Sequence, residues 1–242
     1  MSAELPFLAL IVLVAFTVQG ALGFGASLLV LALGALRVPI PELLPVLVPL
    51  HCVGTAAVLR ADRAHVDRRL LLGRILPLMA PGVVLGALLA GSAADATLRR
   101  AYGGLVVLLA LHGLWSLRRA APATPRSAVT RSTAIVSAGL VHGVFATGGP
   151  LLVLAVDGER LEPRAFRGTL AGAWLTLNLL LTLAYAAQGR LGAETLGLSA
   201  ALLPSVGLGL LLGHAVHTRL EPTTMRAGVL GLLVVAGAHL AA

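Results

Sequence analysis

Few side chains in this sequence could do chemistry, and they recur in one pattern. In HGVFATGGPLLVLAV, residues 142–156, a histidine leads into Thr147-Gly148-Gly149-Pro150, four small or helix-breaking residues between two apolar runs. Proline has no N–H and suits a first helical turn, so Pro150 is read as starting the half-helix LLVLAV. Gly148 and Gly149 leave backbone N–H groups unobstructed. A helix N-terminus carries partial positive charge and unpaired N–H donors, so such a break can hold an anion without a buried cation. Gly23-Phe24-Gly25-Ala26-Ser27 repeats the theme without the proline, and Ser27 is placed to cap a second half-helix. Two half-helix N-termini meeting at the membrane midplane would suit one small oxyanion.

Other polar side chains sit inside apolar segments. Gln19 and His142 each directly precede a glycine, Gly20 and Gly143, at equivalent positions. His51 lies near the centre of the second apolar segment, and Asn178, with Thr176 close by, near the centre of the sixth, where Asn178 aligns with Thr55. Such groups are costly in lipid and usually face the bundle interior. The substrate-binding set is therefore Gln19, Gly20, Gly23, Gly25, Ser27, His51, Thr55, His142, Gly143, Thr147, Gly148, Gly149, Pro150 and Asn178. The competing reading is plain packing, in which glycines let membrane helices approach and a lone histidine fills the core. The adjoining proline, the length of the broken segments and the repetition of the break favour a site. Trp174 reads as packing in the sixth segment and Trp115 as an interfacial anchor.

What is missing restricts the chemistry. All ten acidic residues fall at segment ends or in loops, which argues against a carboxylate proton relay or a cation site. Histidine titrates near neutral pH, so His142 or His51 could couple transport to protons, with uncoupled movement equally open. Ser27 lacks a nucleophile's glycine context and no His-Glu-x-x-His spacing occurs, which leaves an intramembrane peptidase as a remote alternative. The glycine spacing is also wrong for a dinucleotide loop. The single Cys52 excludes an intramolecular disulfide and has no metal-binding company, so no cofactor or metal is expected. A structural subunit that transports nothing is a further alternative.

The elements that must position these residues are membrane helices. The 242 residues are 58% hydrophobic and 12% charged, with a mean hydropathy of +0.96. That composition belongs to an integral membrane protein. The net charge is +8 and all 18 basic residues are arginine. They stand between apolar segments, where membrane topology and not nucleic acid accounts for them. The N-terminus carries Glu4 and no basic residue, unlike a secretory signal, so residues 6–36 are read as part of the membrane domain.

Eight apolar segments are apparent, at about 6–36, 43–59, 73–91, 101–117, 133–156, 168–187, 194–213 and 226–241. The expected fold is an all-α polytopic membrane protein of one domain: a first repeat over 6–117, a cytoplasmic linker over 118–132 and a second repeat over 133–241. A shift of 123 positions places Gly20 on Gly143, Gly25 on Gly148, and LLVLA at 28–32 on LLVLA at 151–155. The same shift lays PGVVLGALLA at 81–90 on PSVGLGLLLG at 204–213, identical at six of ten positions. The chain therefore reads as two duplicated halves of four segments, with segments 1 and 5 broken. If all eight segments span, arginines divide ten against eight; if segments 1 and 5 are re-entrant, each half has three spans and arginines divide fourteen against four. The second division is a positive-inside signal and predicts inverted repeats with both termini outside. Breaks at matching positions of inverted halves point to a transporter binding site.

These residues resemble the TauE/SafE family of sulfite exporter-like permeases. The likeness lies in the paired glycine-rich segments, in GLVHGVFATGGPLLVLAV, and in LPSVGLGLLLGHAVHTRLEPTTMRAGVLGLLVVAGAHL, and it covers essentially the whole chain. GALGFGASLLVLAL in the first half departs from the usual glycine run followed by proline. The resemblance implies a polytopic permease, not an enzyme, in the cytoplasmic membrane. Its partners would be the lipid bilayer and a small anionic substrate, a sulfur oxyanion or organosulfonate, moved by alternating access, with protons as a candidate coupling ion. A passive channel, or a transporter for another small organic anion, is the alternative.

Overall fold

Leucine, alanine and valine fill the stretches between glycine and proline breaks, and these stretches coil into helices. The computed structural model describes residues 2–22, 25–118, 127–156, 159, 161–217 and 222–242, and contains no strand among them. Gly23 and positions 119–126 of the expected linker lie outside the described residues. In chain order the helices are α1 (Leu5–Leu22), α2 (Ala26–Gly34), α3 (Ile40–Asp62), α4 (Arg68–Ser92), α5 (Asp95–Arg118), α6 (Ala128–Phe145), α7 (Gly149–Val156), α8 (Pro163–Ala187), α9 (Ala193–His217) and α10 (Pro222–Ala241). A π-turn at Leu71–Ile75 interrupts α4. Pro45, Pro49, Pro81 and Pro204 sit inside helices, which packed neighbours make tolerable at membrane depth.

Six of the described helices are long and apolar enough to cross a membrane, while the described apolar stretches Leu5–Ala21 and Arg226–Ala241 are shorter. The chain is thus a polytopic, all-helical protein. One candidate span is α6, whose 18 residues begin at Ala128, five positions before the apolar run. The reason is a cap: Ser127 accepts from the Thr130 N–H at 3.1 Å, which lets a polar turn join the apolar helix.

The chain divides into two compact units. The first comprises Met1–Leu44, Ala93–Pro122 and Gly197–Ala242, and the second Pro45–Ser92 and Ala123–Leu196. In the first unit α1 and α2 pack as a hairpin, α5 pairs with α10, and α2 rests on both. Three bonds fasten the short α2 region. The Tyr102 hydroxyl donates to Leu28 O at 2.9 Å, the Ile40 N–H donates to Asp95 Oδ1 at 2.8 Å, and Arg99 donates to Ala35 O. In the second unit α6 and α7 form a hairpin, and α4 packs along α6 and against α8. Asp62, buried at the end of α3, accepts from Arg167 Nε at 2.8 Å, and the Asp67 N–H donates to Thr169 Oγ1 at 2.9 Å.

Each hairpin closes at its mouth with an ion pair. Arg37, just after α2, lies 3.7 Å from Glu4, just before α1. Glu159, shortly after α7, lies 2.7 Å from Arg131 in the first turns of α6 and 2.9 Å from Arg74. The acidic residue thus comes first in one hairpin and last in the other. From Arg131 to Phe145, α6 runs about 21 Å, and the eight residues of α7 cover about 12 Å of the return.

Glycines set the closest crossings. A Cβ on Gly82 would lie 2.8 Å from Leu140 N and 3.1 Å from Val136 O and Gly139 C, where α4 crosses α6. In the first unit a Cβ on Gly209 would lie 2.7 Å from Leu13 O, 2.9 Å from Phe16 Cβ and 3.1 Å from Thr17 N, where α9 crosses α1. The neighbours of the two glycines correspond at the shift of 123, but Gly82 and Gly209 are 127 apart. Gly86 and Gly213 repeat that relation against residues 140–144 and 17–21. The contacts therefore pair α4 with α9 one helical turn away from the register that sequence identity favours. Gly-x-x-x-Gly controls the approach of backbones, and the matching prolines do not.

Candidate functional site

The second hairpin gathers most of the expected residues. Ala146 ends α6 in the left-handed conformation, φ 53°, and its N–H bonds His142 O at 2.7 Å. The chain then doubles back, and the Gly148 N–H donates to His142 Nδ1 at 3.4 Å. A Cβ on Gly148 would strike Ala138 O and come 3.0 Å from His142 Cβ, so only glycine fits this return onto α6. Gly149 and Pro150 open α7, and the first bond of its ladder runs from the Leu152 N–H to Gly148 O at 3.1 Å. The Gly149 and Leu151 N–H groups precede that ladder, and Pro150 has none. Donors were expected from Thr147 through Gly149; the geometry commits the Gly148 N–H to His142.

His142 is 2% exposed, and its ring stacks on Trp174 of α8 with centroids 5.4 Å apart and planes 27° apart. A Cβ on Gly149 would come 3.9 Å from Trp174 Cζ2, so the same indole walls the start of α7. One turn along α8 lies Asn178, also 2% exposed, its side chain directed at that of His142. On α3, His51 is 2% exposed and likewise within electrostatic range of His142, with the buried Thr55 one turn on. Residues four apart share a helix face, so His51 with Thr55 and Trp174 with Asn178 form two matching edges. Thr147 is buried at the tip.

Two polar atoms at this tip have no hydrogen-bond partner, His142 Nε2 and Asn178 Oδ1. Each unmet buried polar atom costs about 1–3 kcal/mol. Nε2 of a neutral His142 and Asn178 Oδ1 are a donor and an acceptor on facing side chains, so each is the other's nearest candidate partner. No ionised side chain is near by sequence: Arg131 is eleven residues back along α6, about 16 Å. Among the described residues no group of three His, Cys, Asp or Glu is placed to hold a metal ion.

The remaining expected residues have other surroundings. Gly143 lies at the crossing of α6 with α4, where a Cβ would be 2.8 Å from Val83 C and Cα, and Gly20 lies at the crossing of α1 with α9. Their positions serve backbone approach. In the first unit Gln19 is buried and Gly25, φ 105°, is the N-cap of α2. Ser27 was expected to cap this half-helix and does not. It is the second residue of α2, and no side-chain bond caps the helix. Gly25, which alone tolerates that backbone, takes the cap position. Thr176 faces outward and bonds Gly172 O within its own helix. Trp174, read as packing, stacks on the His142 ring and stands near Gly149 at the start of α7. The shift that pairs Asn178 with Thr55 also pairs Trp174 with His51, and that signal could have flagged it. A recess of about 230 Å³ in the first unit, lined by Leu36, Arg99, Arg100 and His239 among others, lies at helix ends and contains none of the expected residues.

The sequence profile of the Sulfite exporter TauE/SafE family matches residues 8–240. The chain belongs to the TauE/SafE family. No curated protein and no solved structure matches it. TauE/SafE proteins are transporters, not enzymes, so this chain is a multi-pass membrane permease of the anion-exporter class, working on a small anion from within a bilayer. Within this TauE/SafE chain the hairpin tip of the second unit, and not a loop or a charged cleft, concentrates the buried polar groups.

Proposed function

We propose that the protein moves a small anion of the sulfite or sulfonate class across the cytoplasmic membrane by alternating access, binding it at the tip of the α6–α7 hairpin. The observation that carries this reading is the buried His142, stacked on Trp174 beside the start of α7. Because Nδ1 accepts the Gly148 N–H, the neutral ring carries its proton on Nε2 and offers it as a donor. The Gly149 and Leu151 N–H groups and the α7 dipole add positive potential. Trp174 forms the apolar wall, and Thr147, His51, Thr55 and Asn178 supply the polar edge. Gln19 and the Gly25-capped α2 form a weaker counterpart in the first unit. Protons are the candidate coupling ion.

The test is uptake of radiolabelled sulfite into proteoliposomes by the wild type and by Gly149→Leu. A leucine there projects toward Trp174 and fills the tip, and flux falls at least about tenfold. Undiminished flux would sink the proposed site.

We further propose that the halves are inverted repeats with hairpins that leave on the side they enter. The closing ion pairs of the two hairpins, with acid and base exchanged, support it, as does the fourteen-to-four division of arginine. In a Cys52→Ser background, Ala128→Cys and Ala242→Cys are expected to react with membrane-impermeant maleimide from opposite faces. Labelling of both from one face overturns the inverted arrangement.

A further inference from the structure

We infer that Tyr185 and Arg190, at the end of α8 far from the hairpin mouth, form a second binding station for the permeating anion. The Tyr185 hydroxyl donates to an anion oxygen as the ion passes between the α6–α7 tip and that face of the membrane. The inference rests on the reading of the chain as an anion permease with its site at that tip. α8 begins at Pro163, four residues after the Glu159 that closes the hairpin mouth. From Pro163 to Trp174 it climbs about 16 Å, and from Trp174 to Tyr185 about 16 Å more, which together cross a hydrocarbon core of about 30 Å. Trp174, Asn178, Leu181 and Tyr185 follow at spacings of four, three and four, so they fall within about 60° of the α8 surface. The face that meets His142 therefore continues to Tyr185. Asn178 and Tyr185 are about 10 Å apart along the axis, with the buried, apolar Leu181 between them.

Tyr185 is 0% exposed, and its hydroxyl has no hydrogen-bond partner. Leaving a buried O–H unmet costs about 1–3 kcal/mol, and phenylalanine would supply the same ring without that cost. Long side chains on a helix lean toward its N-terminus, which carries the hydroxyl back toward Asn178 and not out past the end of α8. Arg190 supplies the charge. α8 stops at Ala187, Gly189 turns the chain with φ 70°, and the Arg190 N–H donates to Tyr185 O at 2.9 Å. That return sets the guanidinium over the Tyr185 ring, 4.6 Å from its centroid. A cation on the ring face draws an anion to the hydroxyl at the ring edge and opposes a cation there. The matching place in the first half is closed. At the shift of 123, Tyr185 falls on Asp62, which is buried at the end of α3 and accepts from Arg167 Nε at 2.8 Å. There acid and base satisfy each other; at Tyr185 the arginine meets the ring and leaves the hydroxyl unbonded. The ligand class is a small oxyanion, with an acceptor for the hydroxyl and negative charge for the guanidinium.

The test is Tyr185→Phe in the full-length protein in proteoliposomes, with radiolabelled sulfite flux measured over a range of concentrations and the rate of protein-free liposomes subtracted. The change removes one oxygen atom and keeps the ring beneath Arg190. The kcat/KM for sulfite is expected to fall at least about fivefold. The melting temperature in detergent should hold or rise, because an unmet buried hydroxyl has been deleted. Arg190→Gln should lower kcat/KM by a similar factor, and Arg190→Lys, which keeps a cation, should restore most of it. A kcat/KM within about twofold of the wild type in Tyr185→Phe overturns the station; the hydroxyl is then met by water or left unmet. A melting temperature that falls together with flux overturns it as well, since the hydroxyl then holds the fold. So does Arg190→Gln transport at the wild-type rate, because an anion station needs the charge. These three results leave the tip site standing. Wild-type sulfite flux no faster than in protein-free liposomes overturns the anion permease reading and the station together.

Discussion

Gly143→Val is expected to prevent the protein from reaching a monodisperse folded state. At the α4–α6 crossing a Cβ on Gly143 would collide with Val83 O and lie 2.8 Å from Val83 C and Cα. These are backbone atoms of a packed helix, so no rotamer change relieves the overlap. The helices would have to separate, losing the contacts of Gly82, Gly86 and Gly139 at the same seam. Overpacking typically costs about 1–3 kcal/mol, and more where backbone is the obstacle, a large share of a typical total of about 5–15 kcal/mol. Even Gly143→Ala should lower the melting temperature in detergent by several degrees. Gly104 in α5 is the matched control, because a Cβ there meets nothing within 4 Å. Gly104→Ala should be neutral or slightly stabilising, since alanine is the better helix former by about 1 kcal/mol. An unchanged elution profile and melting temperature for Gly143→Ala would show that the crossing is looser than its geometry.

The second large effect is on transport. His142→Phe should keep the fold and lower sulfite flux by about tenfold to a hundredfold, the loss expected when a donor to a charged ligand is removed. Phenylalanine preserves the ring that stacks on Trp174 at 5.4 Å. It removes the Nε2 donor and also the acceptor of the Gly148 N–H. The unmet N–H costs about 1–3 kcal/mol, which shifts the melting point without unfolding the chain. His142→Gln separates donor chemistry from ring volume. Gln19 already holds the corresponding position of the first half, and a glutamine at 142 can both donate and accept. It should retain more flux than His142→Phe. If phenylalanine transports as well as histidine, the ring is a packing group and the donor is elsewhere.

Local signals made much of the fold legible. Runs of leucine, alanine and valine identify membrane helices, because lipid leaves backbone groups no partner outside the helix. Gly25 and Thr147–Pro150 marked the two breaks; Gly25 has the left-handed backbone at the first, while at the second it falls on Ala146, just before Thr147. Helix starts were less visible. The polar turn at 128–132 belongs to α6 through the Ser127 cap, and an apolar count cannot register a cap. The close contacts made by α4 and by α9, each within its own unit, correspond one turn away from the sequence match. Pro81 and Pro204 match in sequence, whereas the close contacts follow Gly82 and Gly209.

The sequence by itself determined that this protein is a helical membrane permease, where its two interruptions lie, and that the polar residues inside its apolar segments are histidine, glutamine, threonine and asparagine and not carboxylates. Those properties depend on composition and on single residues. Tertiary structure decided which glycine is spent on packing and which opens a site, because that distinction depends on the atoms a missing Cβ would meet. It also decided that the Gly148 N–H belongs to His142 and that the Trp174 ring stacks on His142 at the tip. A hydrogen bond between residues six apart around a break, and a ring contact between α6 and α8, leave no periodic trace in the chain.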